Sequence, residues 1–134
     1  MSAGSAVAAG RMAAEATFLD TFTAYAFTTS VVDGLDVQGW ASQGTTPGKV
    51  AGPSSQARDT NTRTVPIGGV ERVVVEGGLH IPLSATRPAI GWEYLCTAVG
   101  SASDPALLNS RWRVVDVPAK SYATARRLDV VRVL

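Results

Sequence analysis

The chain has 134 residues, of which 46% are hydrophobic and 17% charged, and its formal net charge is +1. This length fits a single domain that buries roughly two thirds of the surface its unfolded chain exposes. The balanced charge argues against a general binder of nucleic acid or acidic membranes, which needs an excess of Lys and Arg. No apolar run reaches the roughly 18 residues of a membrane-spanning helix.

The chain holds one cysteine, Cys96, and one histidine, His80. This excludes an internal disulfide and a four-ligand zinc site made of soft ligands, and it favours a reducing compartment. Cys96 lies in the apolar run EYLCTAV, which predicts a buried core thiol rather than a nucleophile. No signal peptide is predicted, because Arg11 and Glu15 interrupt the first apolar stretch and no basic region precedes it.

The first half of the chain predicts a helix, a strand and a long loop. Residues 1–16 are rich in Ala and favour an N-terminal helix, whose small apolar side chains need a neighbour to pack against. Thr and aromatic residues then predict a strand. Residues 30–48 are rich in Gly, Asp, Ser and Thr and predict a long loop or hairpin. Within it, Trp40 either packs back on the core or anchors a contact with a partner.

The middle of the chain predicts a second long loop between strands. GKVAG (48–52) is a short strand candidate, and residues 53–69 form the most polar stretch, without periodicity. A loop of this length in a compact domain is usually functional or disordered. The β-branched run that follows predicts another strand, with Gly77-Gly78 as a turn or bulge.

The C-terminal part predicts three more strands. One lies near residues 92–99, and RWRVVDV and RRLDVVRVL are the others. DPALLN predicts a turn that Asp104 caps. The chain is therefore predicted to be mainly β, a small antiparallel β-barrel with an N-terminal α-helix and long loops. We expect one domain over residues 1–134, with the barrel over residues 17–134.

Motifs for chemistry are weak. GTTPGK resembles a phosphate loop, but only three residues separate its glycines, Val50 replaces the required Ser or Thr, and Pro47 removes an amide donor. His80 lies between apolar residues and predicts a hydrogen-bonded or surface strand histidine. The carboxylates lack the spacing of a calcium loop. We therefore expect no catalytic, cofactor-binding or metal site, and we do not expect an enzyme.

The C-terminal strands carry many arginines and two aspartates, which favours cross-strand ion pairs. Three roles for the arginines stay open: a solvated surface, salt bridges between subunits, and a wall that faces DNA. A nucleic-acid-binding barrel has little support, because one Arg-Trp-Arg triplet alone interleaves aromatic and basic residues. The residues are Arg111, Trp112, Arg113, Asp116, Arg126, Arg127, Asp129 and Arg132.

The stretch SDPALLNSRWRVVDVPAKSYATARRLDVVRV resembles the C-terminal end of head-to-tail stopper proteins of long-tailed phages that infect actinobacteria. An Asp-Pro-x-Leu turn leads into a Val-Val-Asp-Val strand, and an Ala-Arg-Arg-Leu strand follows a polar loop. The resemblance covers residues 65–133 by motif and the first half by layout. The matched positions are Asp104, Pro105, Leu107, Trp112, Val114, Val115, Asp116, Ala125, Arg126, Arg127 and Leu128, and also Ile81, Pro82 and Leu83.

The resemblance implies a structural protein of the virion neck, assembled in the host cytoplasm. It would form a homo-oligomeric ring of six or twelve subunits between the portal-adaptor ring and the tail, close the DNA-filled head and provide the platform for tail docking. No cofactor and no membrane are implied. The alternative is a tail terminator or another ring protein of the neck or tail.

The resemblance and the layout also suggest two sets of site residues. The loop over residues 53–69 would point toward the channel and touch packaged DNA without sequence preference. A ring needs a heterologous contact between two different patches of one subunit. The channel-facing candidates are Arg58, Asp59, Asn61 and Arg63, and the interface candidates are Asp33, Asp36, Trp40, Arg126 and Arg127.

Overall fold

The computed structural model describes residues 3–51, 62–67, 70–119 and 124–133. One helix precedes seven strands, and every strand pairing is antiparallel. The elements are α1 (Ala3–Glu15), β1 (Asp20–Val32), β2 (Leu35–Ala51), β3 (Thr62–Ile67), β4 (Val70–Ile81), β5 (Glu93–Ala98), a 3₁₀ turn (Pro105–Leu107), β6 (Arg111–Asp116) and β7 (Arg126–Val133).

Six strands form a closed sheet in the order β2-β1-β5-β6-β7-β4, and β4 returns to β2. The closing contact is short: Lys49, Val50 and Ala51 of β2 pair with His80, Leu79 and Gly78 of β4. The seventh strand, β3, pairs with the first half of β4 as a hairpin outside the closed sheet. The prediction of a mainly β, barrel-like antiparallel fold with an N-terminal helix is confirmed.

The core fills the closed sheet with alternate residues of the strands, as the two-residue period of a β-strand requires. β6 alternates between half-buried and buried positions, so that Trp112 and Val114 face inward. The indole Nε1 of Trp112 donates a hydrogen bond to Ser110 Oγ at 2.8 Å, so its polar atom is satisfied inside. The buried cluster comprises Phe22, Ala24, Leu79, Ile81, Tyr94, Cys96, Trp112, Val114, Leu128 and Val130.

A buried carboxylate fixes the start of β1. Asp20 is 3% exposed and accepts hydrogen bonds from the Gly100 amide at 2.9 Å and from Ser103 Oγ at 2.5 Å. Hydrogen bonds offset the cost of removing this carboxylate from water. They also hold the segment after β5 against the first strand of the sheet.

Of the two predictions for residues 30–48, the hairpin is confirmed and the long loop is wrong, since β1 and β2 form a β-hairpin here. β1 and β2 pair in continuous register from Tyr25–Ser42 to Val32–Leu35. Asp33 and Gly34 form the turn with φ of 52° and 77°, which is the left-handed conformation of a tight hairpin turn. The Asp-Gly turn between apolar residues thus favours a hairpin more strongly than the high glycine content disfavours strands. GTTPGK lies within β2 and is extended strand rather than a phosphate loop.

The second predicted loop, over residues 53–69, is corrected in part. Residues 62–67 form β3, and the other residues of that loop lie outside the described residues. The Gly77-Gly78 pair is also not a turn, because both residues lie inside β4 and pair with β7. A Cβ on Gly77 would lie 3.2 Å from the Trp112 ring, so the glycine provides room for close packing.

The remaining predicted elements are present. Strand β5 lies where residues 92–99 predicted one, and Asp104 caps the 3₁₀ turn by accepting a hydrogen bond from the Ala106 amide at 2.9 Å. Cys96 is a fully buried free thiol, as predicted. Within the described part of the chain, no helix is long and apolar enough to span a membrane.

Replacing Gly48 by Ala should destabilise the closed sheet. A Cβ there would lie 2.9 Å from the His80 carbonyl oxygen and 3.2 Å from the Phe22 ring. Because β2 must then move away from β4 at the closing contact, we expect a loss of about 2 kcal/mol in the free energy of unfolding, measured by urea denaturation. Gly39→Ala is the matched control, since its nearest neighbour is Thr28 Oγ1 at 3.9 Å. Equal effects of the two substitutions would contradict this account of the closure.

Alkaline pH should destabilise the protein through Tyr94. Burial raises the pKa of Tyr94 from 10.0 to about 12, although the nearby Arg126 guanidinium opposes the shift. The stabilising contribution is full below pH 10, where the phenol is neutral in both states, and is lost as the pH rises toward 12. We expect denaturation midpoints to fall over this range, and to fall less steeply in Tyr94→Phe. An unchanged pH profile in Tyr94→Phe would refute this assignment.

Candidate subunit interface

The distal part of the β1–β2 hairpin extends beyond the closed sheet, and we call residues 26–41 the hairpin arm. β1 pairs with β5 only from Thr21 to Tyr25, and β2 pairs with β4 only from Lys49 to Ala51. Within the described parts of the chain, the arm is therefore a ribbon of two strands without a third neighbour. Such a ribbon is marginally stable in water by itself, so it gains most from a surface that covers it.

The hairpin arm exposes large apolar side chains. Val31 and Leu35 near the turn are 70% and 71% exposed, although they lie in strands whose residues usually bury one face. Contiguous apolar surface of this kind is typical of protein interaction sites. The exposed apolar residues of the arm are Phe27, Val31, Val32, Leu35, Val37 and Trp40.

The arm is acidic as well as apolar. The sequence contains no Lys or Arg between residues 12 and 48. Asp33 and Asp36 lie at the turn of the hairpin and are exposed. The interface candidates Asp33, Asp36 and Trp40 are thus brought together on one arm.

An aromatic groove lies at the root of the hairpin arm. The Phe27 and Trp40 rings contact edge to face, with centroids 5.2 Å apart and planes at 69°. The groove has a volume of about 660 Å³, and Ile90 on its other side is 68% exposed. Trp40 therefore does not pack back on the core, because its ring partner Phe27 is 50% exposed and neither belongs to the buried cluster. Its role as a contact anchor stays a prediction. The aromatic groove comprises Phe27, Gln38, Trp40, Ala89, Ile90, Gly91, Trp92 and Arg113.

Two C-terminal arginines form an ion-pair cluster beside this groove. Glu93 is 2% exposed and accepts hydrogen bonds from Arg111 Nη1 at 3.2 Å and from Arg113 Nε at 2.9 Å. Arg113 Nη2 also donates to Glu93 Oε2 at 2.5 Å, so both Arg113 nitrogens bond the same carboxylate oxygen while Arg111 bonds Oε1. The two arginines and one glutamate leave one net positive charge at the edge of the groove.

Arg126 and Arg127 do not form a single patch. Adjacent residues of a strand point to opposite faces of the sheet. Arg126 lies on the side of Leu128 and close enough to Tyr94 to act on its pKa. Arg127 lies against Gly78 and pairs with Asp129, with Nε and Oδ1 3.6 Å apart.

The channel-facing candidates are placed only in part. Arg63 lies in β3, where it is opposite Val74 of β4 in the register. Arg58, Asp59 and Asn61 lie outside the described residues. The proposed role of residues 53–69 stays a prediction.

The buried thiol and the histidine lie in the sheet. Burial raises the pKa of the Cys96 thiol, and the Asp20 carboxylate adds to the shift, so the nucleophilic thiolate is disfavoured. His80 is half-buried in β4, in register with Lys49 of β2 and Arg127 of β7. Among the described residues, no three His, Cys, Asp or Glu side chains lie close enough together to hold a metal ion.

Sequence reasoning missed the apolar part of the interface. Val31, Leu35 and Ile90 were not candidates, because the predicted interface rested on charged residues and on Trp40. The signal was present in VVDGLDV, where an Asp-Gly turn lies between apolar residues and predicts a hairpin. The exposure of its side chains depends on which strands lack a third neighbour, and local sequence does not reveal this.

Replacing Glu93 by Gln should destabilise the protein, because two guanidinium groups would lose their shared carboxylate. Removal of one partner from a buried ion pair is strongly unfavourable, but both arginines here are partly exposed. We therefore expect the free energy of unfolding, measured by urea denaturation, to fall by about 2 kcal/mol. Asp129→Asn is the control. The side chains of Arg127 and Asp129 are 37% and 45% exposed, so their ion pair is a surface pair. We therefore expect Asp129→Asn to lower the free energy of unfolding by less than about 0.5 kcal/mol. A Glu93→Gln effect as small as the control would refute the importance of the cluster.

The comparisons with known proteins identify a family without assigning an activity. A family model described as a family of unknown function, DUF6093, matches residues 10–131. This match includes β1 to β6, most of β7 and part of α1. No curated protein and no solved structure matches the chain. The chain belongs to the DUF6093 family.

Proposed function

We propose that this chain is a structural protein of a phage neck, which forms a homo-oligomeric ring between the portal-adaptor ring and the tail. In that position it would close the DNA-filled head and provide the surface on which the tail docks. The observation that carries the proposal is the acidic, apolar hairpin arm, which extends from an otherwise closed sheet. The resemblance of the C-terminal stretch to head-to-tail stopper proteins supplies the location.

The closed sheet explains why contacts between subunits of a ring would be made by the hairpins that extend beyond it. Six strands pair around the sheet, so few strand edges remain for contact with another subunit. The hairpin arm and the β3–β4 hairpin are the exceptions, since each contains strand segments with one paired neighbour among the described residues. Subunits of this shape would interlock through their hairpins while the barrel-like body stays rigid.

The residues that carry the stopper resemblance belong mainly to the fold. Trp112, Val114 and Leu128 lie in the core, and Asp104 caps the 3₁₀ turn. They support a shared architecture, and the neck role is inferred from that likeness together with the exposed arm. The described chemistry agrees with a structural role, since the thiol is buried and the carboxylates Asp20 and Glu93 hold the fold.

The segment that joins β2 to β4 is proposed to face the channel. Part of it, Thr62–Ile67, pairs with β4 as a hairpin. The sequence of residues 53–69 contains Arg58 and Arg63, whose guanidinium groups would contact phosphates without reading bases. A DNA contact of this kind would weaken as the salt concentration rises.

The first test is cryo-electron microscopy of the neck of the phage particle. We expect the chain to form a ring directly below the portal-adaptor ring, with residues 53–69 at the channel. A position at the head-distal end, against the tail tube, would support the tail terminator instead. A particle whose neck and tail lack the chain would overturn the proposed function.

A second test uses particles made without the chain. We expect filled heads that lose their DNA and carry no tails, measured by the encapsidated DNA and by negative-stain microscopy. Complementation with the unmodified chain is the control. Particles that keep both DNA and tails in its absence would contradict the role in head closure.

A further inference from the structure

We propose that the tip of the hairpin arm, residues 31–37, docks in the aromatic groove of a second copy of this chain. The inference rests on the ring assembly of the proposed function and names the two surfaces that would join neighbouring subunits. Each subunit would offer one tip and receive one. In the proposed ring the tip enters one neighbour and the groove receives the tip of the other neighbour, so the contact is heterologous, which is the type that generates rings.

The tip has the shape and the chemistry of an inserted element. Val31 and Leu35 are 70% and 71% exposed, and the tight Asp33-Gly34 turn keeps the end of the hairpin narrow. Two paired strands lie about 4.8 Å apart. The apolar side chains at this end would enter the groove of about 660 Å³ and leave water there.

The aromatic groove offers complementary anchors. Phe27 and Trp40 contact each other edge to face, and Trp92, which packs against the core, gives the groove one fixed wall. Ile90 is 68% exposed at the rim. Rigid aromatic walls with an aliphatic rim are typical of the pockets that contribute most of the energy of protein contacts.

Charge favours a copy of this chain as the occupant. The tip carries Asp33 and Asp36 and has no basic residue near it in sequence, whereas Arg113 lines the groove in a cluster with one net positive charge. Opposite charges would orient the tip in the groove. The same acidic tip disfavours nucleic acid and anionic lipid surfaces as occupants.

A subunit cannot fill its own groove. The Phe27–Trp40 pair at the root and the Val32–Leu35 pair at the tip belong to one extended ribbon. The two pairs are five residue steps apart along each strand, which corresponds to roughly 17 Å. The tip of one arm therefore reaches only the groove of another subunit.

The test measures self-association of the full chain by sedimentation equilibrium. Leu35→Ser changes the tip and Ile90→Ser changes the groove, and both residues are exposed, so folding should be retained and is checked by circular dichroism. We expect each substitution to weaken association about tenfold or more. Leu108→Ser is the matched control, because Leu108 is an exposed leucine (45%) outside both surfaces and should leave association unchanged. Asp36→Lys provides a second tip variant that acts through charge.

A mixture of the two variants distinguishes tip-to-groove docking from a symmetric contact. The intact tip of Ile90→Ser can enter the intact groove of Leu35→Ser, while the other pair of surfaces is impaired. At concentrations where each variant alone is monomeric, we expect the mixture to give one-to-one dimers and no larger species. A mixture that stays monomeric, or variants that assemble like the unmodified chain, would overturn the inference.

The outcome is separable from that of the proposed function. An unmodified chain that remains monomeric up to about 1 mM would overturn the inference, because even a weak specific contact would then be populated. The position of the chain in the neck is measured independently by microscopy of the particle. If the chain associates through the tip and the groove but microscopy finds none of it in the neck, the inference is supported and the proposed neck function is overturned.

Discussion

The closing contact between β2 and β4 is the constraint on which the rest of the fold depends. Three residue pairs turn an open sheet into a closed one. Strand β4 must pass close to β2, to Trp112 and to Arg127, and Gly48, Gly77 and Gly78 provide the space. Closure also gives the inward-facing residues a common core, so that Phe22 of β1 and Leu128 of β7 contribute to one cluster although they are far apart in sequence.

Closure has a consequence for the surface of the molecule. Strands that pair on both sides have no edge to offer, and antiparallel closure removes the edges that a partner could extend. The two hairpins that extend beyond the closed sheet retain such edges. The hairpin arm adds exposed valine and leucine side chains, which an isolated hairpin in water would not keep ordered without other support. If another subunit covered the arm, its exposed apolar side chains would be buried, as their composition favours.

The ionisable groups serve structure in the described part of the chain. Asp20 holds the segment after β5, Glu93 joins β5 to β6 through two arginines, and Asp104 caps a turn. The cluster around Glu93 also fixes Arg113 at the edge of the aromatic groove. The same carboxylate therefore stabilises the sheet and sets the charge beside the candidate interface, which links the stability of the subunit to the proposed contact between subunits.

Local sequence determined the elements whose signals are short in range. Valine-rich runs placed β6 and β7, the Asp-Pro pair placed the 3₁₀ turn, and the Ala-rich start placed α1, because each depends on neighbours within a few residues. The balanced charge and the single Cys96 likewise follow from composition. For the Gly-rich part of β2 the sequence left a loop and a hairpin open, since propensity does not count the hydrogen bonds that a long hairpin provides. The tertiary structure alone decided that Gly77 and Gly78 lie within a strand, that Arg126 and Arg127 separate, and that the arm extends without a third strand. These features depend on which segments, far apart in sequence, come into contact when the sheet closes. Local sequence patterns extend over only a few residues and do not reveal those contacts.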